Sequence, residues 1–311
     1  MNLLLAMIKR NTKLFFKDKG MFFTSLITPL ILLVLYGTFL SNVYEDTFRS
    51  ALSASGAAAS DSLILGCVGG ELVSSLLAVC CVTVSFCSNM LMVQDKVTGA
   101  RGDLTIAPVK GATLALSYYL STLLSTLLIC YTAMAACLLY LSHVGWYLSV
   151  ADVARIALDV FLLVMFGTAL SSIINHFLTS QGQISAVGTI VSAGYGFICG
   201  AYMPISQFSD SLQKVISFLP GTYGTALLRN HALRGVFSEM GNQGFPPQIV
   251  KAIRDSVDCN LYFFEKSVSQ SVMYLILVGT VCLLLALYVL LNALHPQRSK
   301  SVSQKRKTHK V

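Results

Sequence analysis

Six stretches of this chain, residues 21–42, 63–93, 113–141, 153–175, 184–203 and 271–294, are apolar and nearly free of charge. About 20 helical residues cross the roughly 30 Å of a bilayer's hydrocarbon, and an ionised side chain at its centre costs at least about 2.5 kcal/mol. No water reaches that depth, so each run must satisfy its own backbone N–H and C=O groups, as a helix does. The expectation is an all-α membrane protein with six transmembrane helices. Charged residues make up only 12% of the 311, about half the share found in a soluble domain. A soluble enzyme, a disordered regulator and a nucleic-acid module are thereby excluded.

The net charge of +8 is concentrated beside the apolar runs. Lys9, Arg10, Lys13, Lys17 and Lys19 precede the first, and Arg298, Lys300, Lys305, Arg306, Lys307 and Lys310 follow the last. Six crossings put both ends of the chain on one side. If that side is the cytoplasm, it holds fourteen Lys and Arg; apart from the long 204–270 segment, the outside holds only Arg49 and Arg155. Short loops follow the positive-inside bias and long ones largely escape it, so the orientation reads N-in, C-in, in a plasma or inner membrane. The basic ends face anionic headgroups, which makes membrane lipids partners. No basic stripe interleaved with aromatics offers itself to nucleic acid.

Residues 1–20 read as a cytoplasmic amphipathic interfacial helix, with Lys9, Arg10, Lys13 and Lys17 on one face and Leu4, Ile8 and Phe15 opposite. The next run is too long for a cleaved signal peptide, so it is a retained anchor. Residues 21–294 form the membrane domain and 295–311 a basic cytoplasmic tail. Within 204–270, Ile205, Phe208, Leu212, Val215 and Ile216 recur at helical spacing after Pro204, and Pro220-Gly221 interrupts the pattern. That reads as a re-entrant or surface-lying hairpin followed by a small external cap. Eight of the nine cysteines fall in apolar runs as small hydrophobes and Cys259 in a loop. The histidines do not cluster, and no zinc or disulfide spacing is present, so no metal site is expected.

Between the second and third runs stands Asp95-Lys96-Val97-Thr98-Gly99-Ala100-Arg101-Gly102-Asp103-Leu104-Thr105-Ile106-Ala107-Pro108-Val109. This loop resembles that of the membrane subunits of ABC-2-type exporters, with Asp95, Lys96, Gly99, Leu104, Pro108 and Val109 matching. Ala100, Arg101 and Gly102 replace the usual Thr, Leu and Glu. Gly200-Ala201-Tyr202-Met203-Pro204, then Leu212, Phe218-Leu219-Pro220-Gly221-Thr222-Tyr223 and Arg229, is similar to the family's signature after the fifth span. Phe16-Lys17-Asp18-Lys19 ahead of Pro29-Leu30 is a weaker third match. The resemblance implies a type V exporter-like permease fold with re-entrant external helices. It also implies two permease halves, copies or paralogues, with two ATP-binding subunits.

On that resemblance, loop 94–112 couples to the ATPase through Asp95, Lys96, Gly99, Arg101, Asp103, Leu104 and Pro108. The first and fifth spans line the route and the re-entrant helices gate it, which makes Tyr36, Tyr195, Phe197, Tyr202, Pro204, Pro220 and Tyr223 candidates for the path and gate. Glu71, about 12 Å into its span, joins them as either a substrate or gating contact or an interhelical hydrogen-bonding group. Arg155 and Asp159, one helical turn apart, are expected to pair. No GxxxxGK[ST] occurs, and Gly66-Cys67-Val68-Gly69-Gly70 lacks the phosphate-holding Lys. ATP and magnesium therefore belong to a separate ATP-binding subunit, and this chain is expected to bind no cofactor.

A membrane enzyme would need a nucleophile with a base, or paired carboxylates, inside the spans, and neither arrangement is present. An ion-gradient-driven transporter is the rival class, suggested by broken helices and a buried carboxylate. Among exported cargoes, the spans expected to line the route offer few aromatics for sugar stacking. An amphipathic drug-like compound is expected, with lipid or lipid-linked polysaccharide as the alternative.

Overall fold

Caps and breaks in the sequence set where each helix of the bundle starts and stops. The computed structural model describes residues 3–53, 60–106, 109–264 and 266–294, so Pro108 and the 295–311 tail lie outside the described residues. Helix α1 (Leu3–Lys17) stops at Asp18, whose ψ of 93° leaves the helical region and whose carboxylate accepts from the Met21 N–H at 3.0 Å. That oxygen satisfies a donor which a helix start leaves orphaned. Helix α2 (Lys19–Leu35) begins there and passes through one π-helical turn, Tyr36–Leu40, into α3 (Ser41–Ser53). Helix α4 (Asp61–Asn89) runs through a single turn at Met90 into α5 (Leu91–Val97). Then come α6 (Ala100–Ile106), α7 (Gly111–Val144), α8 (Val150–Phe177) and α9 (Gln181–Ile198).

Among the described residues, five helical stretches are long and apolar enough to cross a membrane: Lys19–Ser50, Asp61–Val97, Gly111–Val144, Val150–Phe177 and Gln270–Leu294. They contain five of the six predicted runs. The remaining run, expected at 184–203, folds differently. Its helix starts earlier, at the Ser180/Gln183 capping box, and stops at Ile198 after 18 residues. Gly200, at φ +74°, turns the chain in the left-handed region, a conformation natural to glycine, and Pro204 follows. Opening on Gln181, Gly182 and Gln183, α9 is shorter and less apolar than the other five.

Helix α4 is the central pillar. It is apolar all round, as a helix enclosed by protein must be, and it is buried almost without interruption from Leu63 to Asn89. Helices α2, α7, α8, α9 and α11 (Pro220–Ala232) pack around it. At one end of the bundle lie α1, α5, α6 and the last turns of α14 (Gln270–Leu294), where the Tyr288 hydroxyl donates to Met92 Sδ at 3.2 Å. At the other lie the 3-10 turn Ile205–Gln207, α10 (Asp210–Ile216), α11, α12 (Arg234–Asn242) and α13 (Pro247–Ser256). A two-residue antiparallel hairpin, β1 (Tyr262–Phe263) and β2 (Lys266–Ser267), completes that end and is a small departure from an all-helical fold.

One expectation fails here for a packing reason. Arg155 pairs with Asp152 at 2.9 Å and not with Asp159, because Asp159 faces the interior while Arg155 stays half-exposed. Cys259 lies in a loop after α13 and is buried there, whereas Cys282 lies on the outward side of α14.

Candidate functional site

The end of the bundle that holds α10 to α13 is organised around one guanidinium. Pro220 opens α11 at its first turn, where a missing N–H leaves nothing unsatisfied, and two and a half turns later the helix carries Arg229 into the interior at 1% exposure. Its Nε donates to Glu71 Oε1 at 2.7 Å, its Nη1 to Asp258 Oδ2 at 3.3 Å, and its Nη2 to Ser75 Oγ at 3.2 Å and the Gly200 carbonyl at 2.5 Å. Asp258 Oδ2 also accepts from the Ile205 N–H at 2.6 Å. Gly200 and Asp258 both have positive φ, +74° and 53°, and these turns aim their oxygens at the arginine.

A single side chain thus ties the central pillar, the end of α9, the 3-10 turn at Ile205 and the segment after α13. One guanidinium between two buried carboxylates is neutral only when one of them holds a proton. Burial pushes the Asp258 carboxyl above its ordinary range, with Arg229 and the Ile205 N–H pulling it back. Glu71 Oε2 has no hydrogen-bond partner among the described residues. Of the two roles open to Glu71, the geometry shows the interhelical one.

Beside this cluster Tyr36 and Tyr44 are buried and stacked, with centroids 5.7 Å apart and planes 10° off parallel. In a regular α-helix an eight-residue separation would turn them about 80° apart. The π turn at Tyr36–Leu40 absorbs one residue, so the pair behaves as if two full turns apart and shares a face. Tyr195 is buried against Gly221, where an added Cβ would stand 2.7 Å from its hydroxyl. Phe197, half-exposed, meets Tyr202 edge-on at 5.0 Å, and Tyr202 also covers Gly196. Pro204 is buried at the entry to the hairpin. Tyr223 donates to the Ser217 carbonyl at 2.5 Å and closes the turn between α10 and α11. A second buried contact links three elements: Asp159 of α8 takes His231 Nδ1 of α11 at 2.6 Å and the Tyr274 hydroxyl of α14 at 2.5 Å.

At the opposite end the loop residues divide. Asp95 is buried and accepts from Arg10 at 2.7 and 3.1 Å and from the Tyr118 hydroxyl at 2.6 Å, fastening α1 to α5 and α7. Lys96 Nζ donates to the carbonyls of Asn175, His176 and Leu178 at 2.9, 2.6 and 3.2 Å. It thereby satisfies the orphaned carbonyls at the end of α8, a favourable place for a cation. Arg101 is also buried and Leu104 half-buried. Gly99, at φ +85°, makes the turn from α5 to α6 and is exposed, as is Asp103. Pro108 lies outside the described residues.

The sequence did not single out Asp258 or assign Arg229 its partners. An arginine following Ala226-Leu227-Leu228 required a carboxylate, and Glu71 was the deepest one available. Nothing local marked Asp258.

The ABC-2 type transporter family model matches residues 2–232, from α1 through the last residue of α11. The chain belongs to the ABC-2 type transporter family. No curated protein matches it. This ABC-2 chain is therefore the membrane-embedded, multi-pass component of an ABC transporter, a component that is generally not catalytic and normally works with an ATP-binding subunit. The match stops before the cap, so in this ABC-2 chain Arg229 falls inside the family region and its partner Asp258 outside it.

Proposed function

We propose that this chain is the permease half of an ATP-driven exporter which moves an amphipathic, drug-like compound outward. It crosses a plasma or inner membrane six times, N-in and C-in, with α9 as the short fifth crossing. It pairs with a second copy or a paralogue, and a separate ATP-binding subunit docks at the α5–α6 end. One observation carries the reading. Glu71 at the outer cluster and Asp95 at the loop stand on the same rod, α4 continued by α5, 24 residues and about 36 Å apart. A push at the loop therefore reaches the gate through a helix enclosed by its neighbours.

Asp95 and Lys96 face inward, so the docking surface falls to the exposed Val97, Thr98, Gly99, Asp103 and Lys110. Helix α2, the π turn that follows it and α9 present Phe23, Val34, Phe39, Ile190 and Phe197 at 50–69% exposure. These apolar faces suit both a second half and an amphipathic cargo. An ion-gradient-driven transporter is the second reading, favoured by the extra carboxylate beside Arg229. Inserting two glycines between Met90 and Leu91 tests the lever. The partner ATPase should still co-purify while efflux falls to background; undiminished efflux would refute a mechanical role for the rod.

A further inference from the structure

Helices α2, α4 and α7 enclose an apolar groove of about 710 Å³, walled by Leu26, Pro29, Leu33, Leu76, Ile129 and Ala133. Along α2 it runs from Phe22 to Leu33, about 16 Å, close to half the bilayer's hydrocarbon thickness. The rings of Phe16 and Phe22, 6.0 Å apart, close one end.

Charge begins at that same end. Lys13 precedes Phe16 by one helical turn, Lys19 precedes Phe22 by one, and Lys17 adjoins Phe16, so each ring has an ammonium group as a surface neighbour. Beyond Lys19 the next charged residue along α2 and α3 is Glu45, which places Lys19 at headgroup level. All three lysines are exposed, and among the described residues none enters an ion pair. Asp18, the one acid between Lys9 and Lys19, turns a carboxylate oxygen to the Met21 N–H.

We propose that this groove holds one acyl chain of an anionic phospholipid from the cytoplasmic leaflet, with the phosphate among Lys13, Lys17 and Lys19. In a bilayer the groove gains little from apolarity alone, since lipid tails are as apolar as leucine. The groove fixes where the lipid sits and the lysines fix which lipid. Selection is therefore by headgroup charge and not by chain.

The chain has one tryptophan, Trp146, beyond the far end of α7. In the Trp146→Phe/Phe22→Trp variant the sole indole stands at the groove's mouth, where brominated acyl chains quench it. In phosphatidylcholine vesicles, brominated phosphatidylglycerol should quench about ten-fold more effectively than brominated phosphatidylcholine. Each Lys→Ala change at 13, 17 or 19 should lower that preference about two-fold, an equal share of the ten-fold total. Equal quenching by both lipids, or none because a second copy covers the groove, overturns the proposal. Native mass spectrometry of the unaltered protein gives an independent reading. One retained anionic phospholipid per chain is expected, and retention of neutral lipid alone contradicts it.

Discussion

Replacing Arg229 with methionine is expected to abolish transport and to leave little folded protein in detergent extracts. The substitution keeps the unbranched stem of the side chain but strands Glu71 and Asp258, both buried, facing the same space without a cation. Removing one partner of a buried ionic group costs about 3–5 kcal/mol, a large part of the 5–15 kcal/mol that holds a typical domain together. Adding Glu71→Gln removes one of the stranded charges, so Arg229→Met/Glu71→Gln should regain part of the folded yield. Arg229→Lys should fall between the two, since one ammonium cannot reach Glu71, Asp258, Ser75 and Gly200 together. Size-exclusion profiles and thermal midpoints of the four proteins check the order. A methionine variant as stable as the parent would show that the cluster does not hold these segments together.

A comparable loss is expected from a single methyl group on α12. At Gly235 an added Cβ would stand 1.7 Å from the Tyr147 carbonyl oxygen and 2.6 Å from its carbonyl carbon. These are backbone atoms and cannot rotate away, so Gly235→Ala must displace either the α7–α8 connection or the start of α12. The Arg234–Asp152 contact at 3.6 Å would be pulled with it. A penalty of about 3 kcal/mol or more is expected. Gly241, on the same helix, has nothing within 4 Å of the corresponding position. Gly241→Ala should be neutral or stabilising by about 0.5–1 kcal/mol, because alanine loses less backbone freedom in a helix. Equal melting temperatures for the two alanine variants would sink this explanation.

The long helices were legible because hydropathy is a local property, and each predicted run carries its own evidence. Breaks were legible for the same reason: Pro204 and Pro220-Gly221 act on the residues beside them. Pairing was not. Arg155 and Asp159 stand one turn apart in sequence, yet Asp159 bonds to His231 and Tyr274, 72 and 115 residues away. The family resemblance assigns Asp95 and Lys96 to coupling but says nothing of their neighbours. Their partners, Arg10 and the end of α8, come from distant segments that only the packed bundle brings near. The fifth apolar run was placed too late because hydropathy weighs Cys199–Met203 as membrane, while the left-handed turn at Gly200 ends the helix.

Dependence on a partner's ATP is tested most directly in inverted membrane vesicles that contain this chain and its co-expressed ATP-binding subunit. ATP should drive accumulation of an amphipathic fluorescent dye, and accumulation should vanish when the partner's Walker lysine is replaced. Accumulation by this chain alone, without ATP and driven by an imposed ion gradient, would contradict the assignment.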